Sequence, residues 1–212
     1  MSDIVLYDYW RSSASYRVRI ALNLAGIAYG TVAVDLLKRE HKSADHLARN
    51  PQGLVPALLI DGHLFTQSLA IIEYLNETRS LKLLPPAPVA RAEVRTLAYA
   101  VAMDIHPVCN MGIVAHVMKL TEGGDAVRQA WLQKFIGEGL AAVELMLQKT
   151  PGPLCFGDHP SLADLCLLPQ IYNAQRWSAD ISGLARVNAI ASALETIPAF
   201  AAAHPDKHQP TS

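Results

Sequence analysis

Residues 4–34, IVLYDYWRSSASYRVRIALNLAGIAYGTVAV, hold the decision about the fold. Residues 4–9 form a β-branched and aromatic run that reads as a strand, and residues 29–34 read as a second. Between them Val18, Ala21, Leu22 and Ala25 recur at i, i+3, i+4 and i+7, the spacing of one helical face. A crossover that contains a helix pairs its two strands in parallel, so this stretch is a βαβ unit. Working outward, residues 57–60 and 63–66 flank Asp61-Gly62, a dipeptide that tolerates the positive φ angles of a type I′ turn, and predict a hairpin. A short helix is expected over residues 43–49 and another from residue 68 to about 78. The order βαβ, short helix, ββα describes a small mixed sheet with helices on its faces.

Residues 83–88, LLPPAP, carry three prolines in four positions and can continue neither a helix nor a ladder, so they read as a linker. Beyond them the pattern is helical. Val94, Leu97, Ala98, Val101, Ala102 and Ile105 keep one face, which Pro107 should bend or interrupt. Gly123-Gly124 separates this helix from a second long one that ends before Pro151, with Leu140, Val143 and Leu147 on one face. Ser161 and Asp164 have capping-box spacing, so a helix should start at residue 162; another runs over about 184–196, and the polar tail from His204 is expected to be mobile. The fold class is therefore an α/β N-terminal domain, thioredoxin-like in its order, over residues 1–84, followed by an all-α domain over residues 89–212.

Composition narrows the functions. With 18 Lys+Arg against 19 Asp+Glu, a net charge of −1 and no basic run, nucleic acid is not an expected partner. No signal segment is evident, and no stretch of about 18 apolar residues is free of charge, so no membrane span is expected. Three cysteines, Cys109, Cys155 and Cys166, lack metal-ligand spacing; they fit free thiols in a cytoplasmic protein without a metal.

Two places suggest chemistry. Val55-Pro56 precedes the third strand, where a cis peptide would present the Val55 N–H and C=O to a peptide-like ligand; an ordinary trans proline entering an edge strand is the plain alternative. Ser12 and Ser13 lie where a strand gives way to a helix, and free amides together with the helix dipole favour an anion there. They could equally be simple N-caps. A hydroxyl at such a place can also steady a thiolate, and since this segment has no cysteine the sulfur would have to come from a ligand.

Residues 11–22, RSSASYRVRIAL, resemble the N-terminal signature of the zeta-class glutathione transferases, the maleylacetoacetate and maleylpyruvate isomerases. Residues 50–58, NPQGLVPAL, and 67–75, QSLAIIEYL, are similar to that family's two glutathione-binding segments, and residues 104–107, DIHP, with Asn110 and residues 161–164, SLAD, continue the likeness into the helical region. The resemblance implies the glutathione transferase fold, with the acceptor-substrate pocket in the helical domain, and glutathione as cofactor. It implies Ser12 as the catalytic serine with Ser13 beside it, Val55 pairing with the cysteinyl backbone, and Gln67 and Ser68 holding the γ-glutamyl carboxylate. His41 and Gln52 would approach the glycyl end, and Asp104 would reach the γ-glutamyl ammonium of a neighbouring subunit in a homodimer, with His106 and Asn110 carried over beside it. Read by position alone, His41 is a solvated surface residue, Gln52 and Gln67 are turn residues, and Asp104 is a helix-surface charge.

Ala14 stands where the family's motif usually has cysteine. Met111 and Gly112 stand where some maleylpyruvate-using relatives have arginines, which shifts recognition of an anionic substrate onto Arg11 and Arg176. The resemblance thus implies glutathione-dependent cis–trans isomerisation of a maleyl diacid, maleylacetoacetate ahead of maleylpyruvate. The other readings are a general glutathione transferase or dehalogenase acting on small electrophilic acids, and a binding module that keeps only the fold.

Overall fold

The computed structural model describes residues 3–150 and 152–210. The chain divides into two units: residues up to Lys82 joined by the segment from Ile197 onward, and Leu83–Thr196.

In the first unit the strands β1 (Val5–Asp8), β2 (Gly30–Ala33), β3 (Ala57–Ile60) and β4 (His63–Thr66) form one sheet in the order β2-β1-β3-β4. β1 and β2 are parallel, as the helical crossover α1 (Ser13–Leu24) requires, and β3 runs antiparallel to both β1 and β4. Asp61 and Gly62 both have positive φ, 53° and 76°, the signature of the type I′ hairpin that the dipeptide predicts. Tyr74 and Arg79 of α3 (Ser68–Arg79) tie that turn down: the phenol donates to Asp61 at 2.6 Å and the guanidinium at 2.6 and 2.8 Å, which holds the Asp61 carboxyl below its ordinary range. α2 (Ala44–Arg49) is the expected short helix.

The register fixes which loops meet. Asp8 stands opposite Ala33, Tyr7 opposite Ala57, and Ala57 opposite Thr66. The chain leaving β1, the chain entering β3 and the chain leaving β4 therefore share one end of the sheet.

In the second unit, α4 (Pro88–Tyr99) passes into a π-helical turn (Ala100–Ile105) and the one-turn helix α5 (His106–Val108); then follow α6 (Met111–Thr121), α7 (Gly124–Leu147), α8 (Leu162–Arg176) and α9 (Ala185–Glu195). α8 is buried without interruption from Leu162 to Ile171, so the unit packs around it. It begins where the capping box places it: the Ser161 amide and hydroxyl donate to Asp164 Oδ2 at 2.7 and 2.6 Å, and the Cys155 amide to Oδ1 at 2.9 Å. Burial outweighs these bonds and raises the Asp164 carboxyl above its ordinary value.

Several boundaries differ from the sequence reading. Pro88 is not linker but the first residue of α4, where its fixed φ and missing N–H suit a helix start. Pro107, expected to bend or interrupt its helix, interrupts it: a π-helical turn precedes it, in keeping with its having no amide to continue the i→i−4 ladder. α7 closes at Leu147; Pro151, offered as its stop, lies outside the described residues. The interrupted run Pro88–Thr121 is apolar and long enough to cross a membrane by length and composition, and 28% of its 18-residue apolar window is buried. Finally, the segment from Ile197 belongs with the first unit instead of the helical one. α10 (Pro198–Ala202) packs on α1, and Asn23 Nδ2 donates to the Ala199 carbonyl at 3.0 Å. The tail expected to be mobile forms a 3-10 turn, Pro205–His208, with Pro205 buried and His208 Nε2 3.1 Å from the Ala202 carbonyl; residues 211–212 lie outside the described residues.

Candidate active site

Three loops converge at the shared end of the sheet. After β1, Ser12 is the N-cap of α1: its φ and ψ are −71° and 120°, and its hydroxyl oxygen accepts the Ser15 amide at 3.2 Å. An oxygen that accepts still has a hydrogen to give, so Ser12, half-exposed, can cap its helix and donate to a ligand at once. Ser13 is buried. Arg11 lies over the Trp10 ring, its guanidinium carbon 4.0 Å from the ring centroid.

Before β3, the Val55–Pro56 peptide is cis, as the ligand-presenting alternative expects. The loop leading to it is held from within. His46 Nε2 lies 2.9 Å from the Leu54 carbonyl, which can only accept, so the ring donates; Asn50 Nδ2 donates to the same carbonyl at 2.9 Å. Gly53 has φ +60°, and a Cβ there would lie 2.8 Å from the His41 carbonyl oxygen, so glycine is required. His41 is itself held below its ordinary pKa by partial burial and then by the charges of Lys42, His46 and Arg39.

After β4, Gln67 precedes α3 with φ 68° and ψ 112° and gives its helix no side-chain cap. The first amides of α3 thus have no side-chain acceptor at that N-cap. Gln67 Nε2 instead donates to Gln52 Oε1 at 2.7 Å, joining two of the predicted ligand residues, while Lys42 Nζ donates to the Gln52 carbonyl at 3.1 Å. Ser68 is buried at the start of α3, and its oxygen accepts Arg17 Nη1 at 3.3 Å.

The first unit therefore brings Ser12, Ser13, Val55, Gln67 and Ser68 to one end of the sheet, with Gln52 and His41 on the adjoining loop. Sequence reasoning missed the residues that support them. Arg17, Arg19, Asp8, His46 and Asn50 are all buried; Arg17, Arg19 and Asn50 lie in stretches quoted for their likeness but with no role given to them, and Asp8 and His46 lie in none. The remaining predicted residues belong to the second unit. Asp104 is exposed on the π-helical turn, His106 opens α5, and Asn110 caps α6 by accepting the Gly112 amide at 3.1 Å. Arg176 closes α8 with its guanidinium 4.9 Å from the Trp177 ring, which Arg128 also approaches at 5.4 Å.

Burial disfavours the thiolate form of Cys109 and of Cys155. Burial pushes Cys109 up to about 11; burial, reinforced by Asp164, pushes Cys155 well above its ordinary value. Cys166 is buried in α8, and the first unit contains no cysteine. Nor does any cluster of three or more His, Cys, Asp or Glu among the described residues suit a metal ion. A cavity of about 320 Å³ opens on the β2 side of Trp10. Its carboxylates are committed to the fold: Asp35 accepts the Leu37 and Lys38 amides, Glu40 the Asp35 amide, and Asp8 the Arg19 guanidinium.

Residues 2–77 match the family model described as glutathione S-transferase, N-terminal domain. Over 211 residues, 99% of both chains, the sequence is 60% identical to a maleylacetoacetate isomerase of Rhizobium meliloti (strain 1021). Among solved structures, a holo maleyl pyruvate isomerase, described as a bacterial zeta-class glutathione-S-transferase, superposes with a TM-score of 0.94 at 39% identity, covering 98% of this chain and 100% of that one. The maleylacetoacetate isomerase of Methylobacterium extorquens AM1 with bound malonate and glutathione gives 0.93 at 40% identity, covering 97% and 98%.

Proposed function

The chain belongs to the zeta-class glutathione transferases, the family of the maleylacetoacetate and maleylpyruvate isomerases, and we propose that it is a glutathione-dependent cis–trans isomerase of a maleyl diacid, with maleylacetoacetate its preferred substrate. The observation that carries this reading is the meeting, at one end of the sheet, of two helix N-termini that begin at Ser12 and Ser68, in a unit without a thiol of its own. One site suits a sulfur anion and the other a carboxylate, and glutathione carries both.

The donor set fits the cofactor. The uncapped first turn of α3 and the Ser68 hydroxyl, whose oxygen is already occupied by Arg17, offer hydrogens to the γ-glutamyl carboxylate beside Gln67. Val55 would pair its backbone with the cysteinyl residue, and His41 and Gln52 would meet the glycyl end. Asp104 of a second copy would take the γ-glutamyl ammonium, with His106 and Asn110 near it. A homodimer is supported by the apolar residues exposed around that carboxylate in the chain, Met103, Met111 and Ile113.

When bound, glutathione supplies a thiolate that adds reversibly to the cis double bond, so that rotation takes place about a single bond and the sulfur leaves unchanged. Ser12 lowers the cost of that anion by donating its hydroxyl hydrogen, aided by the amides and dipole of α1. Arg11 and Arg176 would hold the substrate carboxylates and balance the charge that gathers on the substrate carbonyl as the double bond is attacked. Maleylacetoacetate is favoured because Met111 and Gly112 supply no further cation and because the 60%-identical relative carries that activity in its name. The likeness to a maleyl pyruvate isomerase keeps maleylpyruvate as the second substrate. We further propose that the protein works in the cytoplasm.

The test follows cis-to-trans conversion by absorbance while free thiol is titrated in the same sample. Conversion in large excess over glutathione, with thiol conserved, is expected. Stoichiometric loss of thiol would make the protein a conjugating transferase; a higher kcat/KM for maleylpyruvate would exchange the two substrates; glutathione binding without turnover of either would leave a binding module.

A further inference from the structure

Arg17 is only 2% exposed. It sits one helical turn beyond Ser13 in α1, and its Nη1 donates to Ser68 Oγ at 3.3 Å within the protein interior, joining residues 51 apart in sequence. From this contact we infer that Arg17 is a positioning residue, one that sets Ser68 and the start of α3 to receive a carboxylate; the inference rests on the γ-glutamyl reading given above.

The polarity of the bond makes the argument. A guanidinium has no acceptor and stays protonated, so in this pair Ser68 must accept. A serine hydroxyl has one hydrogen, and with a lone pair taken by Arg17 that hydrogen is left to donate elsewhere. Arg17 thereby takes one of the two lone pairs of Ser68 Oγ and biases the hydroxyl toward donating its hydrogen to an arriving anion. It does so at a helix start whose N-cap, Gln67, provides no side-chain acceptor for the first amides. Donors at a helix start with a permanent cation bonded to one of them suit an anion better than an ammonium. Arg17 acts through its bond to Ser68 and is not called on to touch the ligand.

The experiment is calorimetric binding of two tripeptides: glutathione, and the analogue with 4-aminobutyryl in place of γ-glutamyl, which lacks only the α-carboxylate. Wild type should prefer glutathione. Arg17→Met should weaken glutathione about 30-fold, the scale of a charge-assisted hydrogen bond, while changing the analogue by less than about threefold. In turnover, KM for glutathione should rise with kcat at saturation unchanged. Ser68→Ala should cost less in the Arg17→Met background than in wild type, because the two act through one bond. If Arg17→Met does not fold, Arg17→Gln, which keeps an N–H donor and removes the charge, carries the same comparison. Equal losses for both peptides, or additive effects of the Arg17 and Ser68 substitutions, would overturn the inference and leave Arg17 a packing residue. A wild type that binds both peptides equally would instead overturn the γ-glutamyl reading, and this inference with it.

Discussion

Arg19 offers the strongest test of what holds the β1–α1 turn in place. Its side chain is 0% exposed, and it spends all three guanidinium nitrogens: Nη1 on Asp8 Oδ2 at 2.7 Å, Nη2 on the Trp10 carbonyl at 3.0 Å and Nε on the Ala203 carbonyl at 3.1 Å. One residue thus binds β1, the turn that leads to Ser12, and the C-terminal segment. Arg19→Met keeps the length and removes all three bonds. It leaves the Asp8 carboxylate 3% exposed, with Oδ1 already lacking a partner among the described residues. An abandoned buried charge costs about 3–5 kcal/mol. With a urea m-value of about 2–3 kcal/mol/M, the midpoint should fall by more than about 1 M at fixed protein concentration. Asp8→Asn should cost less, about 2 kcal/mol, since the guanidinium keeps its two carbonyls. The double substitution should cost less than the sum by at least about 1.5 kcal/mol, because neither charge is then stranded. A second reading comes from His208, which burial and then the Arg19 charge hold below the ordinary histidine pKa. Losing Arg19 removes one of the three lowering causes, burial and the Lys207 charge remaining, so the His208 titration followed by NMR should move upward. Singles that add within about 0.5 kcal/mol would refute the clasp, whatever the size of either.

Two further predictions concern titratable groups. His41 is held below its ordinary pKa in the free protein, so an anionic glycyl end placed beside it should bring a proton with it. Binding of S-methylglutathione, which has no thiol to titrate, should therefore strengthen as pH falls from about 8 to about 6, and His41→Gln should flatten that slope; an unchanged slope would move the glycyl end elsewhere. Cys109, with its thiol near 11, should react with iodoacetamide far more slowly at pH 7.5 than free glutathione does, and Cys109→Ala should leave kcat/KM within about twofold. Rapid alkylation that abolishes turnover would mean the chain brings a working thiol after all.

The fold was legible where backbone chemistry speaks through residue type. Asp61-Gly62 demanded a type I′ turn, Ser161 and Asp164 marked a helix start, and the i, i+3, i+4 rows of Val94 to Ile105 gave a buried face. What escaped were choices made by tertiary contact. Pro88 could have ended a linker or opened a helix, and nothing local decides between them. The close packing beside the π-helical turn is tertiary as well: Gly139 of α7 lies so near Ile105 that a Cβ would fall 2.4 Å from Ile105 Cγ1. The C-terminal segment looks like a free polar tail in sequence because its partners, Arg19 and Asn23, lie about 180 residues away. Motif likeness supplied the candidate site residues one at a time, but not the register that draws the loops of Ser12, Val55 and Ser68 to one end of the sheet.

The buried arginines of α1 explain best why the rest of the site stayed hidden. A helix with Arg17, Arg19 and Asn23 among apolar residues reads as amphipathic, with its cations in water. Arg17 and Arg19 are two residues apart, so roughly 200° of helix separates them and one solvent-facing stripe could not hold both. The structure resolves this by burying α1 continuously from Ser15 to Leu22. Arg17 then faces α3 and Arg19 faces β1 and the C-terminal segment. Each guanidinium is tolerable inside only because it meets oxygen at a fixed place, and that requirement makes α1 a rigid spacer. Its N-terminus, which carries Ser12, is referenced through Arg17 to the start of α3 and through Arg19 to the strand it follows. A site that must present a thiolate and a carboxylate at set positions gains from both references, and two buried charges supply them as directional bonds to named oxygens, added to the apolar packing of the helix.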